Sequence, residues 1–372
     1  MNIGLILPGF SADEADQAIP VQLALVRELA RQDDVRVLAL RYPHRRDVYP
    51  IHGAVVHSLG AGHWVRGWRR LALWWDALHM LRRLHRERPF DVLHAMWADE
   101  CGLIAAWAGR WLGIPVVVSV AGGELVGFDD IGYGLQRSAF SRWVVGQALG
   151  GAARVIAPCT YTRDLITTAR YAILPEKIRI IALGVSTDVF FPTDDPREPG
   201  RLLHVASLVG VKDQTVLLRA LARLGGDVTL DIVGGGPERE RLETLADSLG
   251  IGERVQFLGK VEHLALPTYY RRAALHVLCS RHEGQGMVTL EAAACGLPTV
   301  GTAVGLLAGG DVPGIAVPVG DDAALDAAIR ELLADPRRRE VLGQRARQAV
   351  CEGFTIRHTV AHLHQLYGEL AH

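Results

Sequence analysis

Short apolar runs alternate with longer amphipathic ones along this chain, and the alternation stops once and restarts. Residues 3–7, 35–40, 55–59, 92–94 and 116–120 read as strands, with helical spacing over 19–31, 68–88 and 102–112. Strand-like 155–157 and 178–181 follow. Strands that alternate with helices build βαβ units, and those build parallel sheets. The break falls at 193–200, TDDPREPG, which has two prolines, a glycine and four charged residues and reads as a linker. Past it come strands at 202–207, 228–233, 255–258, 275–279, 299–301 and 315–317, and helices at 214–224, 237–249, 288–295, 322–333, 337–350 and 357–370.

At 372 residues the chain exceeds what one core comfortably supports. The expectation is α/β architecture with two Rossmann-like, doubly wound domains, at 1–192 and 201–355. Such sheets bind ligands at the carboxyl ends of their strands, so a central cleft between two facing sheets is the expected site. Forty basic residues stand against 41 acidic ones, a net charge of −1, which argues against broad nucleic-acid binding. Five cysteines at 101, 159, 279, 295 and 351 give neither a disulfide framework nor zinc spacing. MNIGLILPGF lacks the basic start of a signal peptide, and no window is apolar enough to span a bilayer. A cytoplasmic protein, peripheral to a membrane at most, is expected.

The chemistry concentrates in 279–302, CSRHEGQGMVTLEAAACGLPTVGT. Glu283 precedes a glycine turn, Gly284 and Gly286, that opens into a helix carrying Glu291; Pro298 blocks the far end. A glycine turn at a helix start presents unpaired backbone N–H groups and favours phosphate. Glu283 lies before the helix and Glu291 inside it, so the two acids can reach different parts of one ligand.

Two glutamates with seven residues between them, the AAACGLP tail, VASLVGVKD at 205–213 and IVGGGPERERLETLADSLGIGERVQFLGKV at 232–261 together resemble the retaining family-4 glycosyltransferases of the GT-B fold. The resemblance covers about 175–355 and loosens towards the amino terminus. It implies transfer of a sugar from a nucleotide-diphosphate sugar to a glycan, lipid-linked or small-molecule acceptor, without metal or other cofactor. Glu283 would bind the sugar hydroxyls and Glu291 the ribose. The amides of Gly286, Met287 and Val288 would meet the diphosphate, Lys212 would neutralise it as it leaves, and Lys260 and Val261 would border the base. The last segment, 356–372, would return to the amino-terminal domain.

Two positions depart from the family. Ser207 stands where an arginine usually accompanies the lysine. Ala121, in VVVSVAGGE, stands where many members have a histidine facing the reacting sugar. Gly122 and Gly123 would permit close backbone approach, and Glu124 is a polar substitute. Gly9, after the first strand, and His94 and Glu100, in DVLHAMWADE, are further acceptor-side candidates, each balanced by an ordinary packing role. Residues 63–88 hold four of the eight tryptophans and seven arginines against two acids. They read either as a core helix with Trp inside and Arg outside, or as a peripheral membrane contact. A sugar-nucleotide epimerase of the same fold and a non-catalytic sugar-nucleotide-binding subunit are the rival readings.

Overall fold

The computed structural model describes residues 1–14, 16, 19–62 and 67–371. The chain divides into two units. Unit 1 comprises Met1–Pro158, Thr162–Leu183 and Ile356–His372; unit 2 comprises Cys159–Tyr161 and Gly184–Thr355.

Unit 1 runs β1 (Asn2–Gly9), α1 (Pro20–Leu29), β2 (Asp34–Tyr42), β3 (Arg46–Ile51), β4 (Ala54–Leu59), α2 (Trp68–Glu87), β5 (Val92–Met96), α3 (Glu100–Leu112), β6 (Val116–Ser119), α4 (Ala139–Gly151), β7 (Arg154–Ala157), α5 (Thr160–Thr168) and β8 (Ile178–Ile180). The strands form one sheet in the order β3-β4-β2-β1-β5-β6-β7-β8, parallel throughout except where β3 meets β4. Strands covered on both faces have no polar face to spare, which is why β1 carries Ile3, Leu5, Ile6 and Leu7 as one buried run. The helices are bounded locally. Asp99 caps α3 by accepting from the Cys101 N–H at 2.8 Å, and Gly113, at φ 71°, ends it. One core joins α2, α3 and α4 to the sheet, and a second joins α1 to the sheet through Leu25, Val26 and Leu29.

Unit 2 runs β9 (Arg201–Val205), α6 (Gln214–Arg223), β10 (Thr229–Val233), α7 (Arg239–Ser248), β11 (Val255–Gly259), α8 (Leu266–Arg272), β12 (Leu275–Leu278), α9 (Met287–Ala294), β13 (Thr299–Thr302), α10 (Gly305–Ala308), β14 (Ile315–Val317), α11 (Asp322–Ala334) and α12 (Pro336–Gly353). Its sheet is parallel, ordered β11-β10-β9-β12-β13-β14. A last helix, α13 (Ile356–Leu370), belongs to unit 1, where Val360, Leu363, Leu366 and Tyr367 join the α1 core.

The break between units lies at Leu183/Gly184, not at 193–200. Two of the four charged residues of that stretch are tied to unit 2. The Arg197 guanidinium donates to the carbonyls of Tyr270, Ala273 and Cys295 at 2.7–3.1 Å. Glu198 pairs with Arg201 and Arg272 at 2.6 and 2.7 Å.

Candidate active site

The turn between β12 and α9 is seated before any functional group is considered. The Arg281 N–H donates to the Val211 carbonyl at 2.8 Å, and the Cys279 thiol donates to the Lys212 carbonyl at 3.1 Å. The short 3₁₀ turn Gly210–Lys212 after β9 is thereby fixed beside residues 279–281. On the other side, the Leu306 N–H donates to the Gln285 carbonyl at 2.9 Å. Gly305 allows this approach, because a Cβ there would stand 2.3 Å from the Gln285 oxygen. Gly286, at φ 93°, turns the chain into α9.

That seating brings Lys212 and Glu283 together. The ammonium lies 2.5 Å from Glu283 Oε1, and the Ser280 hydroxyl donates to the same oxygen at 2.6 Å. Both charged side chains are largely but not wholly covered. The pair therefore stands next to the first turn of α9, where the Met287 and Val288 N–H groups have no helical acceptor. A cation and a helix start converge on one place, which suits an anion.

Glu291 sits just over one turn into α9, with different partners. Tyr270, wholly buried on α8, donates its hydroxyl to Oε2 at 2.8 Å, and His263 Nε2 lies 2.9 Å from Oε1. Burial, and then the Glu291 charge, pushes the Tyr270 phenol well above its usual range. Each carboxylate oxygen keeps a lone pair for another donor, such as a sugar hydroxyl.

The glycines of GGGP let three strand ends crowd together. A Cβ on Gly234 would fall 1.9 Å from the Ala206 oxygen, and one on Gly236 would fall 2.3 Å from the Leu208 oxygen. Lys260, just past β11, runs alongside Gly235, with half-buried Val261 next to it. Ser207 lies in the loop after β9, where its carbonyl accepts from the Gln214 amide at 3.1 Å. Buried His204 bonds the Val277 carbonyl at 2.8 Å and lies 3.3 Å from the same amide. His263, Tyr270, Ser280, His204 and Gln214 were not singled out from the sequence. No spacing marks them, since they meet the site only through the folding of separate loops.

Unit 1 treats its candidates otherwise. His94 lies in the middle of β5, fully enclosed, with Nδ1 2.6 Å from the Tyr367 hydroxyl and Nε2 2.8 Å from the Ser119 hydroxyl. Desolvation lowers its pKa to about 3. It is a neutral packing residue, which corrects the expectation of an acceptor contact. Glu100 is spent on ion pairs with Arg41 and Arg70 at the start of α3. Glu124 is 2% exposed and folds back to accept from the Gly122, Ala121 and Ala98 N–H groups at 2.6, 3.0 and 3.3 Å. It fastens the turn after β6 and is not offered outward as a substitute for the missing histidine. Burial raises its pKa, and the backbone N–H bonds oppose that rise. Gly9, Gly122 and Gly123 do lie at neighbouring carboxyl ends, of β1 and β6, with β5 between them. Next to Gly122 is Trp97, a non-glycine residue held at φ 83°.

A model of the glycosyl transferase 4-like domain matches residues 19–204, and a model of glycosyl transferases group 1 matches 186–349. The chain belongs to this glycosyltransferase family, and its fold is GT-B with two Rossmann-like units. D-inositol 3-phosphate glycosyltransferase 1 of Catenulispora acidiphila is 33% identical over 276 residues, which span 67% of this chain and 65% of that protein. N-acetyl-alpha-D-glucosaminyl L-malate synthase of Bacillus anthracis is 34% identical over 292 residues, 74% of each chain. Among solved structures, sucrose-phosphate synthase from Thermosynechococcus elongatus superposes with a TM-score of 0.81 at 24% identity, over 100% of this chain and 99% of that one. Anabaena Alr3699/HepE in complex with UDP and glucose gives 0.76 at 17% identity, over 100% of both.

Proposed function

We propose that this chain is a retaining glycosyltransferase that takes a sugar from a nucleotide-diphosphate sugar bound in unit 2. The observation that carries the reading is the convergence of Lys212, Glu283 and the start of α9, with Glu291 separately held by His263 and Tyr270. In the reaction the bond from the anomeric carbon to the diphosphate breaks and a bond to an acceptor hydroxyl oxygen forms on the same face. The acceptor's proton passes to the departing diphosphate. Negative charge grows on that group, and Lys212 and the amides of Met287 and Val288 would stabilise it. Glu283 would take the donor sugar's hydroxyls, Glu291 the ribose, and Lys260 and Val261 the base. With the leaving group met by Lys212 and the helix start, the mechanism needs no metal. Several relatives are named for polar acceptors, D-inositol 3-phosphate and L-malate among them, and another for phosphatidylinositol monomannoside. We therefore place the acceptor among small hydroxylated molecules or lipid headgroups, in a cytoplasmic reaction that can run beside a membrane.

The test is turnover with a panel of sugar nucleotides and these acceptor classes, with the anomeric configuration of product read by NMR. The reading expects a product that keeps the donor's anomeric configuration. An altered free sugar nucleotide made without acceptor would point to an epimerase, and binding without turnover to a non-catalytic subunit.

A further inference from the structure

Helix α2 has two apolar faces where a helix on a sheet needs one. Leu73, Trp74, Ala77, Leu81 and Leu84 are buried against unit 1. Trp68, Leu71 and Trp75, at i, i+3 and i+7, point the other way and are 73%, 62% and 64% exposed. This corrects the simpler reading of the stretch, in which the tryptophans would lie inside. Trp64 falls outside the described residues.

The exposed surface extends beyond α2. Trp111 of α3, with Phe140 and Trp143 of α4, are each 45–48% exposed. Ring contacts run between the helices: His79 bridges Trp75 and Trp111 at centroid distances of 4.1 and 6.0 Å, and Phe140 meets Trp143 at 6.0 Å and Trp74 at 6.2 Å. Cations surround it. The Arg82 guanidinium lies 4.7 Å from the Trp111 ring centre and Arg69 5.6 Å from that of Trp68; Arg110 is exposed beside Trp111. Of the two acids of α2, Asp76 pairs with Arg46 at 2.7 Å and Glu87 with Arg83 at 3.2 Å.

We propose that this three-helix surface docks unit 1 onto an anionic membrane. Isolated exposed apolar residues need no explanation, but six large ones on three packed helices do. Tryptophan places its ring among acyl chains and its N–H at the headgroups, and guanidinium groups at the edge of the patch meet lipid phosphates. A second copy of the chain is a poorer occupant. A two-fold contact centred here would face one arginine set with another and pay for the repulsion. The inference stands whether or not unit 2 binds a sugar nucleotide, since all the residues lie in unit 1.

The experiment is co-sedimentation of the full chain with vesicles of phosphatidylcholine alone and of an equal mixture with phosphatidylglycerol, at low and physiological salt. Binding to the anionic vesicles is expected to exceed binding to the neutral ones by about tenfold or more and to weaken with salt. W68S/L71S/W75S, and separately W111S/W143S, should each reduce it by about tenfold while keeping the wild-type melting temperature and nucleotide response. Brominated lipid should quench the fluorescence of the wild type. Wild type left in the supernatant with both vesicles, or either variant sedimenting like wild type, overturns the proposal. So does a stable dimer that the same substitutions dissolve, because it would assign the surface to a second copy.

Discussion

Each unit buries a glutamate close to its strand ends, and the two are held in opposite ways. Glu124 of unit 1 is surrounded by backbone N–H groups from its own turn and from the loop after β5. Glu291 of unit 2 is held by two side chains, Tyr270 and His263, that arrive from other segments. A carboxylate enclosed by its own backbone is a fastener and leaves nothing for a ligand. One steadied by side chains is oriented and still has capacity to accept. The same contrast separates Glu100, tied up by two arginines, from Glu283, whose single ammonium partner is one that a diphosphate can share. Burial of an acid therefore does not by itself indicate a site; the kind of partner does.

The largest expected difference between the units is at acid pH. Unit 2 buries His204 and His276, with pKa values lowered by desolvation to about 4 and about 3. In the unfolded chain both would bind a proton near the ordinary value, so their stabilising share is complete above about pH 6.5 and is lost as pH falls towards those values. The loss is on the order of 3 kcal/mol for each by about pH 4. Unit 1 has His94 and His57 acting the same way, but burial pushes Asp99 up to about 6 and raises Glu124, where unit 2 has Asp213 raised. Asp99 takes its proton earlier folded than unfolded, so its contribution becomes more favourable as pH falls from about 6 towards the ordinary value of 3.8 and offsets His94. All eight tryptophans lie in the first 143 residues, so their fluorescence reports unit 1 alone. On acidification, circular dichroism should begin to change at a higher pH than tryptophan emission. Coincident transitions would remove this part of the contrast.

Next come the site residues. Lys212→Ala should lower kcat by about 10²–10³-fold with a smaller change in nucleotide affinity, as loss of one preorganised cation at a leaving group does. Glu291→Ala should weaken nucleotide binding by about 30–100-fold, the loss of hydrogen bonds to a charged acceptor. Glu124→Ala sharpens the comparison from the other side. It strands three N–H groups and should cost about 2–3 kcal/mol of stability, seen as a lower Tm, while nucleotide affinity in calorimetry stays unchanged. The smallest effect is expected for Tyr270→Phe, which frees Glu291 on one side and should raise the nucleotide Kd by about three- to tenfold. If Tyr270→Phe matches Glu291→Ala, the tyrosine acts on more than the carboxylate.

Much of the fold was legible because parallel strands buried on both faces leave unbroken apolar runs such as 5–7 and 116–118. Strand β3 was not. It is an edge strand of sequence RDVYPI, alternating exposed and half-buried, and antiparallel to its one partner. Helices α4 and α8 were missed for want of a clean stripe: AFSRWVVGQALGG turns tryptophan and phenylalanine outward, and LPTYYRR is only two turns long. The linker was misplaced because its charges suggested solvent, whereas Arg197 is half-buried and bound to four carbonyls. In the candidate site, Glu283 and Glu291 stood out beside a local glycine turn and helix start, whereas Lys212 was marked only by the family resemblance of VASLVGVKD. His263 and Tyr270 reach Glu291 from 28 and 21 residues away, through loops whose course no local pattern records. The polarity of Glu124 and His94 was plain in the sequence, but not that the fold satisfies both internally.

The most direct measurement is calorimetric titration of nucleotide diphosphates and their sugar conjugates into three proteins: wild type, Glu291→Ala and Glu124→Ala. The account predicts that one base class binds wild type and Glu124→Ala alike and binds Glu291→Ala at least about thirtyfold more weakly. Equal binding to Glu291→Ala and wild type, or no binding to a folded wild type by any member of the panel, would contradict the assignment of the donor site to unit 2.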